Sequence, residues 1–223
     1  MARIAFAGVL ALAAAVALWA PGARAATASA AGEPWCDTIA PGEMVEACAL
    51  SAAGLMLSVR VADGRTTLEQ ARAADLAPVS TTEIETWSVV PVPPGLRDLN
   101  DDGVPELLVP LGAGNANIAW AVFEKHEEDF VRRGSLTGGM IDGFETRNGL
   151  ILSSARASAY SYEKTGQSIS PHGIAAVYAL FVDFSRAPGA YCSVEYAEAL
   201  SAYGLDEEGL LAQCEKEAAE ALN

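Results

Sequence analysis

The chain has 223 residues and is acidic, with 29 Asp and Glu against 14 Lys and Arg and a formal net charge of −15. A surface of that sign repels phosphate backbones and anionic lipid, so nucleic acid is excluded as a partner while cations and basic proteins are compatible. Two histidines and four cysteines are too few spare ligands for a zinc centre once the cysteines are paired.

At the N-terminus, Arg3 precedes an apolar stretch from Ile4 to Trp19, followed by Pro21-Gly22 and the small-residue exit Ala23-Arg24-Ala25. That layout predicts a secretory signal peptide over residues 1–25, cleaved after Ala25. The apolar stretch is shorter than the roughly 20 residues a spanning helix needs. No cysteine follows it closely, which argues against a lipoprotein. Removal of residues 1–25 takes away Arg3 and Arg24 and no acid, so the charge goes from −15 to −17. The expected location is the periplasm or the medium, and no later stretch has spanning length.

Two units are expected beyond the leader: an antiparallel β domain over residues 26–190 and a C-terminal helical segment over residues 191–223, clamped by a disulfide. An even cysteine count in an exported chain favours disulfides over redox or metal chemistry. Of three possible pairings, Cys36 with Cys48 and Cys192 with Cys214 is favoured, because each pair closes a short local loop. Neither has the Cys-x-x-Cys spacing of a thiol oxidoreductase.

In chain order, Gly32 to Leu50 reads as a cystine-bound loop and Gly54 to Val61 as a strand ended by the turn Asp63-Gly64. Thr66 to Ala74 reads as a short helix with Thr66 or Thr67 as its cap. Thr86 to Val92 is β-branched and alternating, which predicts a strand, and Pro91, Pro93 and Pro94 set it at an edge.

Residues 98 to 106 read Asp-Leu-Asn-Asp-Asp-Gly-Val-Pro-Glu. Oxygen-bearing side chains fall at the first, third, fifth and ninth positions, with glycine at the sixth. Ca²⁺ is a hard cation that takes roughly six to eight oxygens, and this spacing aims Asp98, Asn100 and Asp102 at one point while Gly103 turns the backbone. The Val104 carbonyl is the expected main-chain ligand and Glu106 the closing carboxylate. An EF-hand would carry Glu at the twelfth position, where this chain has Val109, so a strand is expected to follow rather than a helix.

The run DLNDDGVPELLVP resembles the DxNxDGxxDL calcium loop of FG-GAP and VCBS-type repeats, which leads directly into a β-strand. Glu106 stands in place of the usual Asp, and the chain has one copy where propellers have several. A single loop followed by the turn Gly112 to Asn117 and the strand Ile118 to Phe123 is similar to the lysozyme-inhibitor-like periplasmic immunity proteins. The resemblance implies Ca²⁺ as cofactor and a basic, lysozyme-like peptidoglycan hydrolase as partner.

Further along, Pro105 and Pro110 limit the strand at Glu106 to Val109 to a few residues or an edge. Ile118 to Glu124 and Phe130 to Leu136 predict a hairpin around Glu127-Glu128-Asp129. Phe144 to Thr146, Leu150 to Ala157 and Ile174 to Phe184 are further strands, the last long and apolar enough for a central position with both faces covered. After Pro188-Gly189, Val194 to Tyr203 and Asp206 to Leu222 predict a helical hairpin, with Gly204 as stop and Asp206 as N-cap. The expected fold is mainly β, an antiparallel β-sandwich or propeller-like sheet domain with a small C-terminal helical hairpin.

No other segment carries a catalytic pattern. His126 sits at the end of a predicted strand and His172 in a polar turn, both as surface residues, and there is no Gly-x-Ser-x-Gly elbow, Ser-x-x-Lys or dinucleotide fingerprint. The segment Ser153 to Gly166 presents Arg156, Tyr160 and Tyr162, residue types that anchor protein interfaces. It equally suits an ordinary hairpin loop, and it lacks the Ser-Gly-x-x-Tyr signature of lysozyme inhibitors. The leading reading is a non-enzymatic, exported calcium-binding protein that presents a protein-binding surface, possible as an inhibitor of, or immunity to, a lysozyme-like hydrolase. The alternatives are a cell-wall hydrolase with a structural calcium and an envelope stability protein with no dedicated inhibitory role. Oligomeric state is left open by the sequence.

Overall fold

A computed structural model describes residues 32–43, 45–88, 90–114, 116–185 and 191–221. The expected signal peptide lies outside these residues. Within them, thirteen strands form three antiparallel sheets. The first sheet contains β1 (Ala47–Ala52), β2 (Leu55–Ala62), β3 (Arg65–Arg72) and β4 (Pro78–Glu85) in sequential order. The second is the meander β5 (Gly95–Arg97), β6 (Glu106–Ala113), β7 (Ile118–His126) and β8 (Asp129–Gly138). The third runs from β9 (Glu145–Arg147) through β10 (Leu150–Arg156), β11 (Ser161–Ser170) and β12 (Gly173–Asp183) to β13 (Tyr191–Ala197), and one helix, α1 (Glu207–Ala221), follows.

The sheets stack face to face around the second one. Residues pointing one way from β6 and β7, Leu107, Val109, Leu111, Ala121 and Phe123, pack with Leu57, Val59, Leu68 and Ile84 of the first sheet. Those pointing the other way, Leu108, Trp120 and Val122, pack with Phe144 and Ile151 beside the third sheet. A strand covered on both faces must be apolar at consecutive positions, which explains Leu107-Leu108-Val109. The doubly covered strand is therefore β6, whereas β12 alternates along its C-terminal half and gives Leu180 and Val182 to the cluster under α1. β6 also crosses Pro110, next to a register shift between Pro110 and Gly112, an irregularity of the kind at which a strand accommodates proline.

Two side-chain amides act as extra rungs between sheets. Gln70, 2% exposed, donates from Nε2 to the Phe130 carbonyl and accepts from the Phe130 amide. Asn117 does the same with the carbonyl and amide of Arg156. Each satisfies a backbone donor and acceptor that strand pairing leaves open.

The strand at Glu106 to Val109 is neither short nor at an edge but the eight-residue β6 between β5 and β7, and three further expected elements are corrected. Thr66 to Ala74 is strand β3, because Thr66, Leu68 and Gln70 are buried at a period of two and the Asp63-Gly64 turn pairs them with β2. Of the expected strand Thr86 to Val92, residues 86–88 and 90–92 are not strand, since the polar groups of the first bond to β6 one at a time: the Trp87 amide donates to the Leu111 carbonyl, and the Ser88 hydroxyl accepts from the Ala113 amide. Val194 to Tyr203 is not a helix. Tyr191–Ala197 is edge strand β13 and only Leu200–Tyr203 coils, as a 3-10 turn closed by Gly204 at φ 68°. The β-branched and aromatic side chains of β13 suit a pleated surface better than their alanine and glutamate neighbours suggest. The helical hairpin is thus a single helix, capped as expected by Asp206, whose Oδ1 accepts the Gly209 amide at 2.7 Å. The 191–223 segment accordingly begins as part of the third sheet.

Both disulfides form in the expected pairing, Cys36 to Cys48 and Cys192 to Cys214, with Cα separations of 5.0 and 6.2 Å. The first fastens the segment before β1; the second ties β13 to α1, where Leu210, Cys214 and Ala218 lie on one buried stripe. Disulfides of this kind belong to an extracytoplasmic protein.

Candidate metal centre

The acidic loop is the hairpin connection between β5 and β6, held at its base by the Arg97–Glu106 pair. Its turn is made by Asp101 and Gly103 in the left-handed region, at φ 59° and 84°. The expected ligands also hold the loop's own amides. Asp98 Oδ2 accepts from Gly103 (2.9 Å), Asn100 Oδ1 from Asp102 (3.0 Å) and Asp102 Oδ1 from Val104 (2.7 Å). The loop's shape is thus written by the same side chains whose oxygens face inward.

Glu106 opens β6 and is 1% exposed. It shares a face with Leu108, behind the fully buried Leu99, whose amide donates to Glu106 Oε2 at 2.6 Å. No cationic side chain pairs with it among the described residues. Burial therefore pushes its carboxyl up to about 7; the Leu99 amide and its own oppose this, and Asp102 and Asp98 add repulsion. A carboxylate oxygen of Asp98, Oδ1, is also buried without a hydrogen-bond partner.

Of the five expected ligands, Asp102 and Glu106 come together, and a third carboxylate joins them. One oxygen each of Asp102, Glu106 and Glu124 lies within 4.8 Å of the other two. Asp98 stays outside that group. Asn100 turns its Nδ2 to Asp102 Oδ2 at 3.0 Å, and the exposed Val104 enters through its amide. Glu124 was missed because it lies eighteen positions beyond Glu106 in sequence. The signal was the hairpin register: Leu107 faces Phe123, so Glu124 falls beside Glu106. Oxygen donors carrying this much charge match a hard divalent cation.

The other residues singled out by sequence stand apart. Arg156 ends β10 opposite Tyr162, and Tyr160 projects from the β10–β11 turn, 64% exposed. Tyr162 packs on Phe184 at 5.6 Å between ring centroids, with Lys164 over its ring. His126 and His172 are exposed at strand ends, as expected. A cavity of about 840 Å³, with no residue of the acidic loop in its lining, lies between Trp35, Pro94, Leu96 and Ile141.

No family model matches the chain, and no curated protein matches its sequence. Among solved structures, the chain is similar to one described as a Xanthomonas type IV secretion system related protein, with 11% identity, a TM-score of 0.46, and coverage of 72% of this chain and 94% of that one.

Proposed function

We propose that this is an exported, non-enzymatic protein that binds Ca²⁺ in the β5–β6 loop, and that the ion fixes the loop end of the central sheet as a protein-binding surface. The observation that carries the reading is Glu106, a buried carboxylate with two other carboxylates beside it and no cationic partner among the described residues. Burying such a charge uncompensated is costly. Adding a divalent cation converts mutual repulsion into ligation, so metal binding and local order are coupled. Asp98, Asn100, Asp102, Glu106 and the Val104 carbonyl would hold the ion, whose contribution is charge and geometry.

The chain's acidity suits a basic partner, and its resemblance to lysozyme-inhibitor-like immunity proteins names a peptidoglycan hydrolase of the lysozyme kind. A leader cleaved near Ala25 and a periplasmic location complete the proposal. The test is thermal stability of wild type, Asp98→Ala and Asp102→Ala in calcium and in chelator. Stabilisation of wild type by calcium, absent in both variants, supports the proposal. Identical melting of all three in both buffers contradicts it.

A further inference from the structure

We infer that Glu124 is a ligand of the same cation, contributed by β7 rather than by the loop, so that the ion fastens the loop to the middle of the central sheet. The inference rests on the proposed cation site and extends it to a residue outside the motif. Glu106 and Glu124 are cross-strand neighbours on adjacent strands, and like charges placed so are destabilising unless something lies between them. Arg133 answers for only one of the two. Its Nε donates to Glu124 Oε2 at 2.6 Å, and its side chain is 8% exposed. Of the three carboxylates that come together, Asp102, Glu106 and Glu124, only Glu124 has an ion-pair partner among the described residues, an excess of two negative charges that one divalent cation balances.

Position agrees with charge. Arg133 engages Oε2 of Glu124, and one carboxylate oxygen of Glu124 lies within 4.8 Å of oxygens of Asp102 and Glu106. A ligating carboxylate whose second oxygen is held by a neighbouring donor is the usual arrangement around a metal. Arg133 in turn donates from Nη1 to the Pro171 carbonyl at 2.9 Å, in the turn between β11 and β12. In the same loop, though outside this group of three, the Oδ1 of Asp98 is buried without a hydrogen-bond partner, where buried carboxylate oxygens are otherwise bonded.

Terbium luminescence lifetimes in H₂O and D₂O count the waters on a bound ion and so report a lost protein ligand directly. With the full exported chain, Glu124→Gln is expected to bind Tb³⁺ with about one more water than wild type and to bind Ca²⁺ on the order of 10-fold or more weakly. Glu124→Asp keeps the charge opposite Arg133 and only shortens the reach, so a fall in its Ca²⁺ affinity, with an unchanged far-UV spectrum, separates ligation from misfolding. Unchanged water number and Ca²⁺ affinity in both variants, beside a wild type that binds, would overturn the role of Glu124 and leave the loop site standing. A wild type that binds neither ion would overturn both.

Discussion

Two hairpin loops of this molecule drew attention in the sequence, and they treat their polar groups in opposite ways. The β10–β11 turn satisfies itself. Ser158 and Ser161 hydroxyls bond at 2.6 Å, the Tyr160 amide donates to Ser158, and Asn117 takes the amide and carbonyl of Arg156. The β5–β6 loop also bonds its amides internally, yet it drives Glu106 into the core without a counter-charge and leaves an oxygen of Asp98 alone. A self-satisfied turn is stable as it stands. A loop that buries like charges together calls for a ligand, and this contrast, more than the number of acidic residues, separates a candidate cation site from an acidic surface turn.

The largest effect expected from that contrast is on pH dependence in chelator. A carboxyl raised to about 7 when folded, against an ordinary value of 4.5, keeps its proton after the unfolded chain has lost it. Its contribution to stability is therefore complete below about pH 4.5 and is lost as pH rises through about 7. Denaturant melts should show the metal-free protein less stable at about pH 8 than at about pH 4.5, by on the order of 3 kcal/mol from this group, with calcium removing most of the difference. A chelated protein whose stability is flat over this range would break the comparison.

Glu106→Gln sharpens it. The substitution keeps the shape and the acceptor for Leu99 while removing the buried charge. In chelator near pH 8 the variant should be more stable than wild type by about 1–3 kcal/mol, and calcium should no longer raise its melting temperature. At the small end, Tyr160→Ala in the self-satisfied turn removes an exposed ring. Its expected effect on stability is within about 0.5 kcal/mol, with the calcium response intact. A large calcium-dependent change in that variant would mean the two loops are coupled.

The parts legible in sequence were those with a local signature. The Asp63-Gly64 turn, the Asp206 cap, the β7–β8 hairpin and both disulfides depend on neighbours in the chain, and each was found. β3 was misread because Thr66-Thr67 followed by Leu, Glu and Ala suits a helix locally. What makes it a strand is the non-local burial of Thr66, Leu68 and Gln70 between β2 and β4. β4 and β11 were passed over because polar side chains cover much of both. Glu124 followed the same rule in the site itself. Every loop ligand lay within nine residues, whereas Glu124 reaches the cluster only through strand pairing.

The most direct test of the central claim is a calorimetric titration of the purified, disulfide-bonded chain with Ca²⁺ near pH 7, repeated in buffers of different ionisation heat. The account predicts binding at about one site per chain, with an apparent enthalpy that varies with the buffer because Glu106 releases part of a proton as the ion enters. Absence of any binding heat up to about millimolar Ca²⁺, the weak end for extracellular calcium modules, together with an unchanged melting temperature, would contradict it.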